Sequence, residues 1–99
     1  MKPEILVIAT HPDILKTILR LLNNHDNWSG TGVATIAEAI EIFPTKDFNV
    51  VLLGAGLSEA EEQQLRTSFS TLKPGIPCIA HYGGGSGLLY AEVLQALAQ

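Results

Sequence analysis

Two histidines and two glycine-rich segments are the places where this 99-residue chain could do chemistry. His11 follows the apolar run Ile5-Leu-Val-Ile-Ala9, and His81 sits with Tyr82 at the end of Pro77-Cys-Ile-Ala-His-Tyr82. An imidazole at the end of a buried strand is placed to carry a phosphoryl group or to meet an anion. Gly54-Ala-Gly56 and Gly83-Gly-Gly-Ser-Gly87 also follow apolar runs. Backbone N–H groups at a helix start of that kind are natural anion holders. A rim of His11, Gly54, His81 and Gly83–Gly87, with Gly84 and Ser86 at its centre, is therefore one candidate ligand site.

The chemistry of that rim is thin. With strands about 4.8 Å apart and one strand between them, His11 and His81 would face each other across roughly 10 Å. No Asp, Glu or Cys is placed to complete a ligand set, so neither a metal site nor a cofactor is expected. The glycine spacings match neither a P-loop, which needs Lys-Ser/Thr after its last glycine, nor a dinucleotide fingerprint. Ser58 and Ser86 fall at helix caps, where backbone donors occupy the hydroxyl. His25 lies in the polar stretch Asn23-Asn-His-Asp-Asn27 and reads as solvated. No enzyme activity is expected from these residues. Two interaction features remain. Glu59, Glu61 and Glu62 form an acidic helix start, and Trp28 either offers a contact or covers the end of the core.

The elements that must position these residues alternate. Ile5–Ala9 is continuously apolar and Asn49–Leu53 is so from Val50 onward, as strands buried on both faces of a parallel sheet are. Thr31–Ala34 reads as a short edge strand because of Gly30 and Gly32, and Pro77–Tyr82 as a fourth strand. Ile14–Leu22 carries a broad helical stripe behind Pro12, which suits the first turn. Thr35-Ile-Ala-Glu38 and Ser58-Glu-Ala-Glu61 both read as capping boxes. The helices they open stop at Pro44 and near Leu72, and Leu88–Ala98 closes the chain after the glycine loop. The order βαβαβαβα predicts one domain over residues 1–99, an α/β/α sandwich around a parallel sheet.

Composition narrows the function classes. Six Lys+Arg against ten Asp+Glu, a formal charge of −4, lacks the basic footprint of a nucleic-acid binder. Hydrophobic residues make up 46% of the chain, enough for a packed core rather than a disordered segment. Ile5–Ala9 is far short of the roughly 20 residues of a membrane span. The single cysteine, Cys78, fits a reducing compartment, so a cytoplasmic protein is expected.

Four segments carry a family resemblance. Ile5-Leu-Val-Ile-Ala-Thr-His-Pro12, Ala34-Thr-Ile-Ala-Glu-Ala-Ile40, Asn49-Val-Val-Leu-Leu-Gly-Ala-Gly-Leu-Ser58 and Gly75-Ile-Pro-Cys-Ile-Ala-His-Tyr82 stand in order and at the right separations. Together they resemble the receiver (response-regulator, CheY-like) domains of two-component signalling, of flavodoxin-like fold. The resemblance implies a four-stranded sheet of order 2-1-3-4, with the last βα unit of the family shortened. It also implies that the family's chemistry is lost. The phosphoacceptor position matches Gly54, the pair of Mg²⁺-binding acids matches Ala9 and Thr10, and the small hydroxyl residue matches Tyr82. The readout lysine belongs to a fifth strand for which this chain has no counterpart.

The expected function is thus that of a non-phosphorylatable pseudo-receiver acting in signalling by protein–protein interaction with a partner the residues do not identify. Loss of the fifth strand would leave strand four at the sheet edge, with Cys78, Ile79 and Ala80 resembling an interior strand. A homodimer through that edge or through the last helix follows as an expectation. The alternative is a small module that binds an anion or phospho-ligand on the His11–Gly54–His81–Gly83–Gly87 rim.

Overall fold

The computed structural model describes residues 3–24, 28–54, 56–80 and 85–98, with side chains undescribed at 85–88. Four strands, β1 (Glu4–Ile8), β2 (Ser29–Val33), β3 (Val50–Leu53) and β4 (Cys78–Ala80), alternate with four helices. The helices are α1 (Pro12–Asn23), α2 (Ile36–Ile42), α3 (Glu59–Leu72) and α4 (Gly85–Leu97). All strand pairs are parallel and the sheet order is β2-β1-β3-β4, as the sequence predicts.

Alternation along β1 and β3 divides the core in two. Leu6, Ile8, Val51 and Leu53 face α2 and α3, where Ala39, Phe43, Leu65 and Phe69 close over them. Ile5, Val7, Val50 and Leu52 face α1 and α4, against Ile18, Leu22, Leu89 and Val93. Both faces are dry, which is why β3 is apolar throughout and β1 at every position after Glu4. Stacked rings fill the first layer: Phe43 lies 4.3 Å from Phe69 and 5.9 Å from Phe48 between centroids. In the second, α4 is tied down by the Tyr90 hydroxyl, which donates to the Leu21 carbonyl at 2.9 Å. Trp28 is buried and meets Tyr90 edge-on at 5.6 Å, so it covers the end of the core.

Several local expectations need correction. The last helix begins at Gly85, inside the segment read as a glycine loop, because glycine is admissible in a first turn that packing of Leu89 and Val93 holds in place. Pro44 does not end the second helical stretch outright; it sits in a 3-10 turn over Phe43–Thr45, where the Thr45 hydroxyl donates to the Ile42 carbonyl. Strand β2 starts two residues earlier than its β-branched residues suggest; β4 is described over Cys78–Ala80, and the expected end of that strand at His81 and Tyr82 lies outside the described residues. Only Ser58–Glu61 forms a complete capping box. At Thr35–Glu38 the Glu38 N–H donates to the threonine hydroxyl, but the Glu38 carboxylate takes that hydroxyl's proton instead of a backbone N–H.

Glycines in β2 exist for α1. A Cβ on Gly32 would lie 2.5 Å from Leu19 Cδ1 and 2.9 Å from Leu15 Cδ1, and one on Gly30 would lie 3.2 Å from Leu22 Cβ. Bare backbone at these two positions lets the helix seat directly on the sheet edge.

Candidate functional site

In parallel α/β sheets, ligands gather at the carboxyl ends of the strands, here the ends of β1 and β3 beside the start of α1. Ala9 and Thr10 follow β1, and Gly54 and Gly56 follow β3. The strand ends are bonded in a row: the Gly54 N–H donates to the Ile8 carbonyl at 2.7 Å, joining β3 to β1, and the Ala9 N–H donates to the Val33 carbonyl at 3.2 Å, joining β1 to β2. Ala9 is fully buried.

This end of the sheet is filled rather than hollow. A Cβ built on Gly54 would lie 2.9 Å from Ala9 Cβ and 3.2 Å from the Ile8 carbonyl oxygen. At Gly56, where φ is +97°, a Cβ would fall 1.8 Å from Thr10 Oγ1. The methyl of Ala9 and the hydroxyl of Thr10 thus occupy the room that side chains at 54 and 56 would need. Carboxylates, the hard oxygen ligands that Mg²⁺ requires, are absent from positions 9, 10 and 54.

His11 is the N-cap of α1. Its Nδ1 accepts from the Ile14 N–H at 3.4 Å, a long bond, and Pro12 takes the first helical position. The ring is exposed and is committed on one nitrogen to the helix start. His81, Tyr82, Gly83 and Gly84 lie outside the described residues. Gly54 and His11 are therefore the only members of the sequence-derived rim whose surroundings are described, and Ser86 is placed only by its backbone, in the first turn of α4. Among the described residues, no group of three His, Cys, Asp or Glu is placed to hold a metal ion.

What sequence reasoning missed lies at the sheet margins. The Arg66 guanidinium reaches from α3 to the Cys78 carbonyl at 2.5 Å, so the edge strand is not bare as its residue types suggest. Cys78 is half-buried, and burial pushes its thiol above the ordinary range while the Arg66 charge opposes the shift. Arginine in the middle of a helix carries no sequence signal for such a contact.

No family model and no curated relative matches the chain at the level of sequence. Solved structures do match it in shape. A CheY-like response regulator receiver domain from Methanospirillum hungatei JF-1 superposes with TM-score 0.73 at 23% identity, over 97% of this chain and 76% of that one. The signal receiver domain of an HD domain-containing protein from Pseudomonas fluorescens Pf-5 gives 0.72 at 18% identity, over 99% and 78%. This chain has the receiver fold. A sensor protein from Polaromonas sp. JS666 matches at TM-score 0.82 and 14% identity, over 99% of this chain and 98% of that one. About a quarter of the M. hungatei receiver lies outside the match. In the receiver-like chain described here, β4 leads to α4, and α4 lies on the α1 side of the sheet with no strand beyond β4 among the described residues. No helix in the described residues is long and apolar enough to cross a membrane.

Proposed function

We propose that this chain is a non-phosphorylatable receiver-like domain that acts in signalling through protein–protein contact, paired with a second copy through the outer face of α4. The observation that carries the reading is the filled end of the sheet at Ala9, Thr10, Gly54 and Gly56. Aspartyl phosphorylation needs a carboxylate nucleophile and a Mg²⁺ held by further acids, and these positions offer a methyl, a hydroxyl and two glycines. With no phosphoryl group to respond to, a receiver fold keeps its helix faces as its means of action. On α4, Ala91, Leu94 and Ala98 are exposed at helical spacing, and Leu94 keeps 56% of its surface open to solvent.

The test is a titration of the labelled protein with beryllofluoride or acetyl phosphate in the presence of Mg²⁺, followed by amide chemical shifts. No shift at residues 9–11 or 54–58 is the expected result, and a saturable shift there would overturn the reading. A thermal-shift panel of nucleotides and sugar phosphates separates the anion-binding alternative. A dose-dependent rise in melting temperature that His11→Ala abolishes would replace the interaction reading with that one.

A further inference from the structure

At each margin of the sheet a side chain occupies outward backbone groups of the edge strand, as a neighbouring strand would. In a parallel ladder, alternate residues of an edge strand bond inward and the others point their N–H and C=O groups outward. On β4 the Pro77 carbonyl accepts from the Val51 N–H, so Pro77 and Ile79 face β3, and Cys78 and Ala80 face out. The outward carbonyl of Cys78 is the one that Arg66 occupies. On β2 the Ser29 N–H donates to Pro3 and the Val33 carbonyl accepts from Ala9, so Gly30 and Gly32 face out. Here the Asn23 side-chain amide takes both outward groups of Gly30. Its Oδ1 accepts from the Gly30 N–H at 3.0 Å, and its Nδ2 donates to the Gly30 carbonyl at 3.4 Å.

We infer that Arg66 and Asn23 are edge guards, which hold the outward backbone groups of β4 and β2 and keep the sheet from extending into the sheet of another molecule. Two further features fit that role. The flank of α3 around Arg66 is a groove of about 370 Å³ lined by Gln63, Arg66, Thr67, Ser70 and Thr71, with no large apolar side chain among them to seat a covering helix. Among the described residues, β4 presents only three residues of edge to pair with. Exposed edges are templates for strand addition, and the usual protections are charge, short length and occupied backbone groups. The described part of β4 shows all three. The role is independent of pairing through α4.

The experiment compares the full wild-type chain with Arg66→Ala and with the double variant Arg66→Ala/Ala80→Pro. Sedimentation velocity is run over a concentration series, and circular dichroism reports whether each variant is folded. Arg66→Ala should associate beyond the wild type, with a weight-average mass that roughly doubles as an edge-to-edge pair forms. The added proline removes the outward N–H of residue 80, a position where an edge strand tolerates it, and should return the mass to the wild-type value. A folded Arg66→Ala that sediments like the wild type would overturn the inference, as would association that the proline does not reverse. If Arg66→Ala does not fold, Asn23→Ala at the exposed end of α1 decides alone: heavier species support edge guarding, and wild-type sedimentation ends it.

Discussion

Thr10 and Gly56 are fitted so closely that a Cβ on residue 56 would stand 1.8 Å from Thr10 Oγ1, so that any side chain there must displace the threonine. The backbone adds its own demand, because φ at Gly56 is +97°, in the left-handed region where a Cβ costs roughly 1–2 kcal/mol. Gly75 provides the control: its φ is +85°, but a Cβ would meet nothing within 4 Å. Gly75→Ala should therefore lose the conformational cost alone, and Gly56→Ala distinctly more. Urea midpoints of the two variants check this, and equal losses would show that Thr10 yields its place freely.

An aspartate placed at position 54 should not act as a phosphoacceptor. Its Cβ would press on Ala9 Cβ at 2.9 Å, and Ala9 cannot move without disturbing a fully buried strand end. Positions 9 and 10 would still lack acids for Mg²⁺. Gly54→Asp incubated with acetyl phosphate and Mg²⁺ should keep its unmodified intact mass and melt at a lower temperature than the wild type. A phosphorylated adduct would show that the filled strand end is not what prevents the chemistry.

The contrast between these glycines and those of β2 shows what was legible in the sequence. The buried strands declare themselves by unbroken apolar runs, Ile5–Ala9 and Val50–Leu53, because both faces of the sheet are covered and nothing polar is tolerated between. Receiver-like spacing followed from the same runs. The start of α4 was hidden because Gly85 and Gly87 are poor helix formers that tertiary packing overrides. Edge protection was hidden for a different reason. Asn23 and Arg66 reach backbone groups of strands, a kind of pairing that no periodicity in the chain encodes.

His11 caps α1 with a ring nitrogen at 3.4 Å, a long reach for a cap. A carboxylate is shorter, accepts more strongly and adds favourable charge at the helix start. His11→Asp should stabilise the chain by about 0.5–1 kcal/mol, read as a higher denaturant midpoint. His11→Ala should move it the other way, and no difference between the two would mean that the imidazole contributes nothing to the helix start.

Cys78 makes stability depend on pH. Burial disfavours its thiolate in the folded chain, with Arg66 only partly offsetting the effect, so the unfolded chain releases the proton first as pH rises. The contribution is constant below the thiol's unfolded value and falls once pH passes it. Wild-type stability should therefore decline from pH 8 toward pH 10 more steeply than that of Cys78→Ala. The native thiol should also react with iodoacetamide at neutral pH more slowly than the same thiol in urea, because the thiolate is the nucleophile. Equal rates in both states would place Cys78 in a solvent-like setting.

Leu94 carries the pairing proposed for α4. Its neighbours on the outer face, Ala91 and Ala98, stand about one turn away on either side and are small enough for a second helix to approach. Leu94→Glu puts a charge in the middle of that stripe without touching Leu89, Val93 or Ala96, which face the core. An exposed helix position of this kind changes folding stability by no more than about 0.5 kcal/mol. At micromolar concentrations the wild type should sediment as a pair and Leu94→Glu as a single chain, with nearly the same melting temperature. A pair that survives Leu94→Glu would move the contact off this face. Since Arg66 already occupies the outward carbonyl of Cys78 in β4, the contact would then be sought on α2 or α3, whose exposed acids favour a basic partner over a second acidic copy.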